Sequence, residues 1–325
     1  MRAAALPVLA LPLLLTYCGA KHELVIGEVT PPIVAMGGTS VIPNAGVGGE
    51  PSSAGSSSGG LGGNAGSGGD TAGSSTVEAG APPIVGSTGG EGGSPAVCPT
   101  GEEPPLGSLL HRYGFDGDGT EVLDSIGDAH GDVIATSLDD TGLLTLAGSP
   151  SRELANLPNG LISDLSEVTL VVWTTWKGGA GYERIIDFGI SDQGEVQGGS
   201  GRSYIAVMTS NGFANGTGLG AEITAPGFAT LQLASDADID GIPSMVALSF
   251  RSGISVGLFL DAQLLIESPT PIKLSDISDV NNWLGQSQWS KDHNYGGTYD
   301  EFRIYNAALS ECQLSTIYAR GPTLP

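Results

Sequence analysis

The sequence predicts a C-terminal all-β domain, either a sandwich or a barrel, and three observations carry that prediction. From Leu106 onward, short runs rich in Val, Ile, Leu, Phe and Trp recur at close spacing. Gly, Asp, Asn and Pro, the residues that supply turns, separate these runs. The stretch is about 220 residues long, a common size for one such domain. In chain order the candidate strands are 109–115, 142–146, 168–176, 184–190, 203–209, 220–224, 228–234, 245–251, 255–260, 263–267, 283–286 and 298–305. Only the end reads as helical. There Ser310 and Gln313 form a capping box, and Leu309 and Leu314 are placed for a hydrophobic staple.

The residues ahead of that domain follow different physics. Arg2 supplies a positive charge, and residues 3–15 are an apolar run too short to span a bilayer, which is the pattern of an export signal. From about Gly37 to Ala96 the chain is almost wholly Gly, Ser, Ala, Thr and Pro, without Lys or Arg. Such a stretch cannot bury enough surface to offset its ordering entropy. It should behave as a disordered tether with an end-to-end distance of about 45 Å. The expected organisation is therefore a signal over 1–18, a Gly/Ser/Ala-rich linker over 19–97 and one folded domain over 98–325. The formal net charge of −23 and sequence pI near 4.2 argue against nucleic acid and anionic headgroups as partners. Where carboxylates converge, the same acidity favours a hard cation such as Ca²⁺.

Leu15-Thr16-Tyr17-Cys18-Gly19 resembles the lipobox of bacterial lipoproteins, with Tyr17 where that family has a small residue. The resemblance implies lipid attachment at Cys18. It also implies an exported chain that meets the membrane through this anchor alone; Gly19 lacks the Asp that signals inner-membrane retention, which favours the outer membrane or cell surface but leaves the inner membrane open. An ordinary cleaved signal whose apolar region contains a cysteine is the other reading. If lipid takes Cys18, Cys98 and Cys312 remain, bracketing the domain. Outside the cytosol the economical inference is a Cys98–Cys312 disulfide, against the alternative of two free thiols.

A second resemblance covers roughly residues 106 to 320. Leu110-His111-Arg112-Tyr113-Gly114-Phe115-Asp116-Gly117-Asp118-Gly119-Thr120, then Asp124-Ser125-Ile126-Gly127-Asp128-Ala129-His130-Gly131, resembles the opening of a laminin-G-like domain of the concanavalin A-like lectin/glucanase superfamily. Val168-Thr169-Leu170-Val171-Val172-Trp173 is similar to that family's Trp-bearing central strand. Val246-Ala247-Leu248-Ser249-Phe250 and Leu258-Phe259-Leu260-Asp261-Ala262-Gln263-Leu264 resemble its hairpin. Trp283-Leu284-Gly285-Gln286-Ser287 and Tyr299-Asp300-Glu301-Phe302-Arg303-Ile304-Tyr305-Asn306-Ala307-Ala308-Leu309-Ser310 resemble its close. The resemblance implies a two-sheet antiparallel jelly roll with one concave face and with its first and last strands side by side. It also implies a structural calcium where an early Asp-rich loop meets the last strand, at Asp124 and Asp300 with Asp128 as a further ligand. Strand alternation puts Asp300 on the face of Phe302 and Ile304, where a carboxylate needs a cation or several donors. The plainer reading is that Asp300 accepts backbone hydrogen bonds at a turn.

Other candidate chemistry is thin. Asp236-Ala237-Asp238-Ile239-Asp240-Gly241 imitates an EF-hand start, but position twelve is Ala247, so an acidic surface turn is expected. No Glu-x-Asp-x-Glu run exists, Glu222 and Glu267 stand isolated, and the four histidines lack metal-ligand spacing. His111 alternates with Leu109 and Tyr113, as a hydrogen-bonded core or edge histidine would. No catalytic residue is named, and an enzyme is not expected. Trp173 and Trp176 fall on opposite faces of one strand. Trp283, Trp289, His293 and Tyr295 cluster before the last strand, as a ligand rim or, in the preferred reading, a loop packed over a sandwich edge. Three functional readings follow: a non-catalytic surface module binding a glycan or protein partner, a structural cell-envelope lipoprotein, and, last, a divergent glycoside hydrolase.

Overall fold

The computed structural model describes Cys98 and residues 101–212 and 218–323. The export signal, Cys18 and the Gly/Ser-rich tether lie outside the described residues. The strands are β1 (Leu109–Tyr113), β2 (Asp118–Gly119), β3 (Glu121–Val122), β4 (Gly131–Ile134), β5 (Leu138–Asp139), β6 (Leu144–Ala147), β7 (Leu154–Leu157), β8 (Glu167–Trp176) and β9 (Arg184–Ser191). They continue with β10 (Gly201–Met208), β11 (Gly220–Thr224), β12 (Leu231–Ala234), β13 (Ser244–Arg251), β14 (Ser255–Leu260), β15 (Gln263–Pro269), β16 (Asn281–Leu284) and β17 (Gly296–Tyr305). One helix, α1 (Glu311–Arg320), follows. No helix among the described residues is long and apolar enough to cross a membrane.

The strands form a sandwich rather than a barrel. One sheet runs β1-β17-β8-β13-β14-β15, with β6 also on β17, and the other runs β12-β11-β10-β9-β16-β7-β4-β3. All the strand pairs in both sheets are antiparallel. First and last strands are neighbours, with Tyr113 opposite Phe302. Period-two alternation explains the layers. On β8, Val168, Leu170 and Val172 enter the inter-sheet core, while Val171 and Trp173 face outward. Leu309, Leu314 and Ile317 cover that outer face, so α1 lies over the first sheet. Ser310 accepts from the Gln313 N–H at 3.2 Å, and Gln313 Oε1 accepts from the Ser310 N–H at 2.9 Å. Gly321, with φ 74°, ends the helix in a conformation that Gly adopts without steric penalty. The helix also carries Cys312, which is bonded to Cys98 with their Cα atoms 5.1 Å apart.

The last strand breaks the expected alternation. Tyr299 pairs with Thr174 and Glu301 with Trp173, which leaves Asp300 as the extra residue of a β-bulge. Tyr299 therefore joins Phe302 and Ile304 in the core. Asp300 does not share their face; it lines a hollow of about 320 Å³ with Trp173 and Thr175 on the outer side of the sheet.

Candidate functional site

The outer face of the eight-stranded sheet carries a set of polar and aromatic groups. Ile186, Phe188, Ile205, Val207, Ala155, Leu157 and Leu284 point inward to the core. Alternation then turns Asp187, Tyr204, Asn156 and Trp283 outward. Two loops fold over this face, 192–200 after β9 and 285–295 after β16. They are stitched together by Gly199 N–H to Gln288 O at 2.8 Å and Ser290 N–H to Gly199 O at 2.9 Å. Trp283, though outward, is fully buried, and its Nε1 donates to Asn156 Oδ1 at 2.9 Å. The Trp289 Nε1 donates to the Tyr204 hydroxyl at 3.1 Å, and that hydroxyl in turn bonds Glu222. A Cβ on Gly201 would fall 2.6 Å from the Trp289 Nε1, so only glycine lets this indole settle where it does. Trp289 itself stays 36% exposed.

Beneath the second loop lies a buried charge network. Arg184 donates to Asp292 Oδ2 at 3.1 Å and to Ser287 Oγ at 3.3 Å, with Asp187 Oδ2 at 3.8 Å. Asp187 accepts from the Gln288 N–H at 3.0 Å, but its Oδ1 has no partner. Burial pushes this carboxyl up to about 7, against the opposing pull of Arg184 and the Gln288 N–H. Above the network the loops leave a cleft of two hollows, about 120 and 230 Å³, that meet at Arg152, Gly198 and Gln286. Ser290, Asp292, Asn294 and Trp289 line the first hollow, and Leu154, Val196 and Trp283 the second. Such a wall can stack a ring and hydrogen-bond several hydroxyls at once.

The carboxylates expected to hold calcium stand in three different environments. Asp124 is buried and already supplied with donors: Arg112 N–H at 3.0 Å and Ile126 N–H at 3.1 Å on Oδ1, Ala129 N–H at 3.3 Å and His111 Nδ1 at 2.7 Å on Oδ2. Burial alone would raise its pKa, but His111 and the backbone N–H groups outweigh that and hold it at about 2. Asp128 is exposed. Asp300, displaced by the bulge, is half-buried and raised by burial and by neighbouring Glu301 and Asp116. Among the described residues no group of three or more His, Cys, Asp or Glu is placed to hold a metal ion.

His111 is hydrogen-bonded to Asp124, as its alternation indicated. Asp238 and Asp240 sit on an exposed turn where Asp238 Oδ1 accepts the Asp240 N–H. Trp173 points outward beneath the Arg303 guanidinium, 4.7 Å from its centroid, while Trp176 points inward and donates to Glu183 Oε2 at 2.7 Å. Of the aromatic cluster, Trp283 and Trp289 reach the cleft; Tyr295 is buried against Thr174 and His293 is exposed. Sequence reasoning did not find Arg152, Asn156, Arg184 or Tyr204. An available signal was Asp187, a carboxylate inside the apolar run Arg184–Ser191.

The family model described as the concanavalin A-like lectin/glucanases superfamily matches residues 151–315. Domain 4 of AbnA, an extracellular arabinanase of Geobacillus stearothermophilus solved with arabinotriose, aligns at 18% identity over 65% of this chain and 98% of that one, with a TM-score of 0.50. A Trypanosoma rangeli sialidase aligns at 15% identity over 66% of this chain and 33% of its own, with a TM-score of 0.48. The CBM40 of a Ruminococcus gnavus sialidase aligns at 18% over 54% and 96%, with a TM-score of 0.40. At 18% identity the likeness to the arabinanase domain speaks for the fold alone. No curated protein matches the chain. With a family match over half its length, on a two-sheet antiparallel sandwich, the chain belongs to the concanavalin A-like lectin/glucanase superfamily.

Proposed function

We propose that this is a non-catalytic glycan-binding module that grips its ligand in the cleft over the eight-stranded sheet, displayed outside the cell by a lipid on Cys18 and the tether 19–97. The half-exposed indole of Trp289, set beside hollows walled by amides and hydroxyls, carries the reading. Sugar rings stack on such a face while their hydroxyls bond the amides. The arabinanase domain of the same fold was solved with a bound arabinotriose, which is consistent with this. The state of the nearby carboxylates supports the non-catalytic part. Glycoside hydrolysis with retention needs two carboxyl groups about 5 Å apart and facing the bond to be cut. Here Asp292 is held by Arg184 and Ser287, Glu222 by Tyr204 and Gln232, and Asp187 is sealed beneath Gln288.

A glycan array probed with the purified chain tests this. Retention on a subset of glycans, lost in Trp289→Ala while the melting temperature holds, is the expected result. Retention on none favours a structural envelope lipoprotein. Turnover of a polysaccharide, abolished by replacing one carboxylate, would make the domain a hydrolase. Calcium is a separate part of the proposal: an ion beside Asp300 would offset the burial and the repulsion from Glu301 and Asp116 that raise its carboxyl. Melting in calcium and in EDTA decides this, and equal values remove the ion.

A further inference from the structure

We infer that Arg152 selects the ligand, so that the cleft takes a sugar bearing a carboxylate; this rests on the glycan-binding reading and narrows it. Arg152 lines both hollows and stands where they meet. Its guanidinium makes no hydrogen bond or ion pair among the described residues, which sets it apart from most arginines of the domain. Arg112 and Arg303 bond Glu301, Arg184 pairs with Asp292 at 3.1 Å, Arg251 with Glu167 at 3.8 Å, and Arg320 with Glu103. In a chain of net charge −23, an arginine left without a carboxylate at the junction of the cleft is out of keeping with its surroundings.

The local charge balance points the same way. Asp292 is the one carboxylate lining either hollow, and Arg184 together with Ser287 already holds it. Glu153, the residue next to Arg152, is turned onto the Ala147 N–H. The cleft wall therefore carries one uncompensated positive charge. At physiological salt, charges more than about 8 Å from the ligand are largely screened, so the acidity of the rest of the domain does not cancel it. A guanidinium presents a planar fork that matches both oxygens of a carboxylate. The amide of Gln286 and the Asn294 Oδ1 remain for hydroxyl groups, the Asn294 Nδ2 being held by Ser151 O, and the indole of Trp289 remains for the ring face.

An array carrying uronate- and sialate-terminated glycans, each printed beside its carboxyl-reduced counterpart, tests the inference on the full chain. Retention should occur on acidic members only. It should fall roughly ten- to hundredfold in Arg152→Gln, the scale of a lost charge-assisted pair, and less in Arg152→Lys, which keeps the charge without the fork. Since Arg152 has no internal partner, Arg152→Gln should melt with the parent, and a lower melting temperature would give the residue a structural role instead. Equal retention of acidic and reduced glycans, or full retention by Arg152→Gln, overturns the carboxylate assignment and leaves glycan binding standing. Retention on no glycan overturns both.

Discussion

On the outer face of β9, Asp187 has no exposure to water, accepts one backbone N–H and keeps one oxygen unpaired. Its pKa of about 7 stands well above its ordinary 3.8 because burial outweighs the attraction of Arg184 and the Gln288 N–H, with Asp292 adding repulsion. Between roughly pH 4 and pH 7 the folded protein holds a proton that the unfolded chain has released. The contribution of Asp187 is therefore whole below about pH 4 and is lost as pH rises through 7. Asp124 acts with the opposite sign. Held at about 2, it contributes fully above its ordinary value and loses that contribution as pH falls toward 2. Denaturant midpoints of the parent and Asp187→Asn, measured from pH 4 to pH 8, isolate the contribution of this residue. The stability difference, parent minus variant, should decline across that window and level off above it. A difference that stays flat would mean that Asp187 is ionised throughout.

Helix α1 closes the outer face of the first sheet, so its ends bear on the whole domain. Ser310→Ala removes the acceptor of the Gln313 N–H and should cost about 1 kcal/mol, read as a lower urea midpoint with an unchanged slope. Both halves of that capping box were legible in the sequence, since capping chemistry is local. So were the bounds of β11 and β14 and most of β8 and β13, whose apolar residues are numerous enough to mark a strand unaided. The short β3, β4 and β7 were not. Each has two to four residues, and only Val122, Val133, Ala155 and Leu157 reach the core, so pairing with neighbours defines them rather than their own pattern. Asp300 shows a different limit. Strict alternation placed it with Phe302, but one bulged residue reverses every assignment before it, and no residue type announced the bulge. The cleft was half legible. Trp283 and Trp289 sit close together in the chain, whereas Arg152 comes from the loop before β7, Asn156 from β7 itself and Tyr204 from β10, all far from them in sequence.

For the whole molecule, the bond between Cys98 and Cys312 and the signal-like first residues converge on one compartment. The bond spans 214 positions, and a loop of that length is worth on the order of 5 kcal/mol in the chain-entropy model. Such bonds form and persist in oxidising surroundings, where the export signal would deliver the chain. If lipid occupies Cys18 as proposed, cells producing the full chain should yield protein with no maleimide-reactive thiol after denaturation, the other two cysteines being joined. Detergent phase partition should carry it with the membrane fraction, and labelled palmitate should be incorporated. Cys18→Ser should move the protein to the aqueous phase and abolish the label while keeping the 98–312 bond and the melting temperature. If the parent also partitions to the aqueous phase, the anchor fails and the ordinary cleaved signal takes its place. If all three thiols react, the chain has met neither lipidation nor an oxidising compartment, and its display outside the cell fails with the anchor.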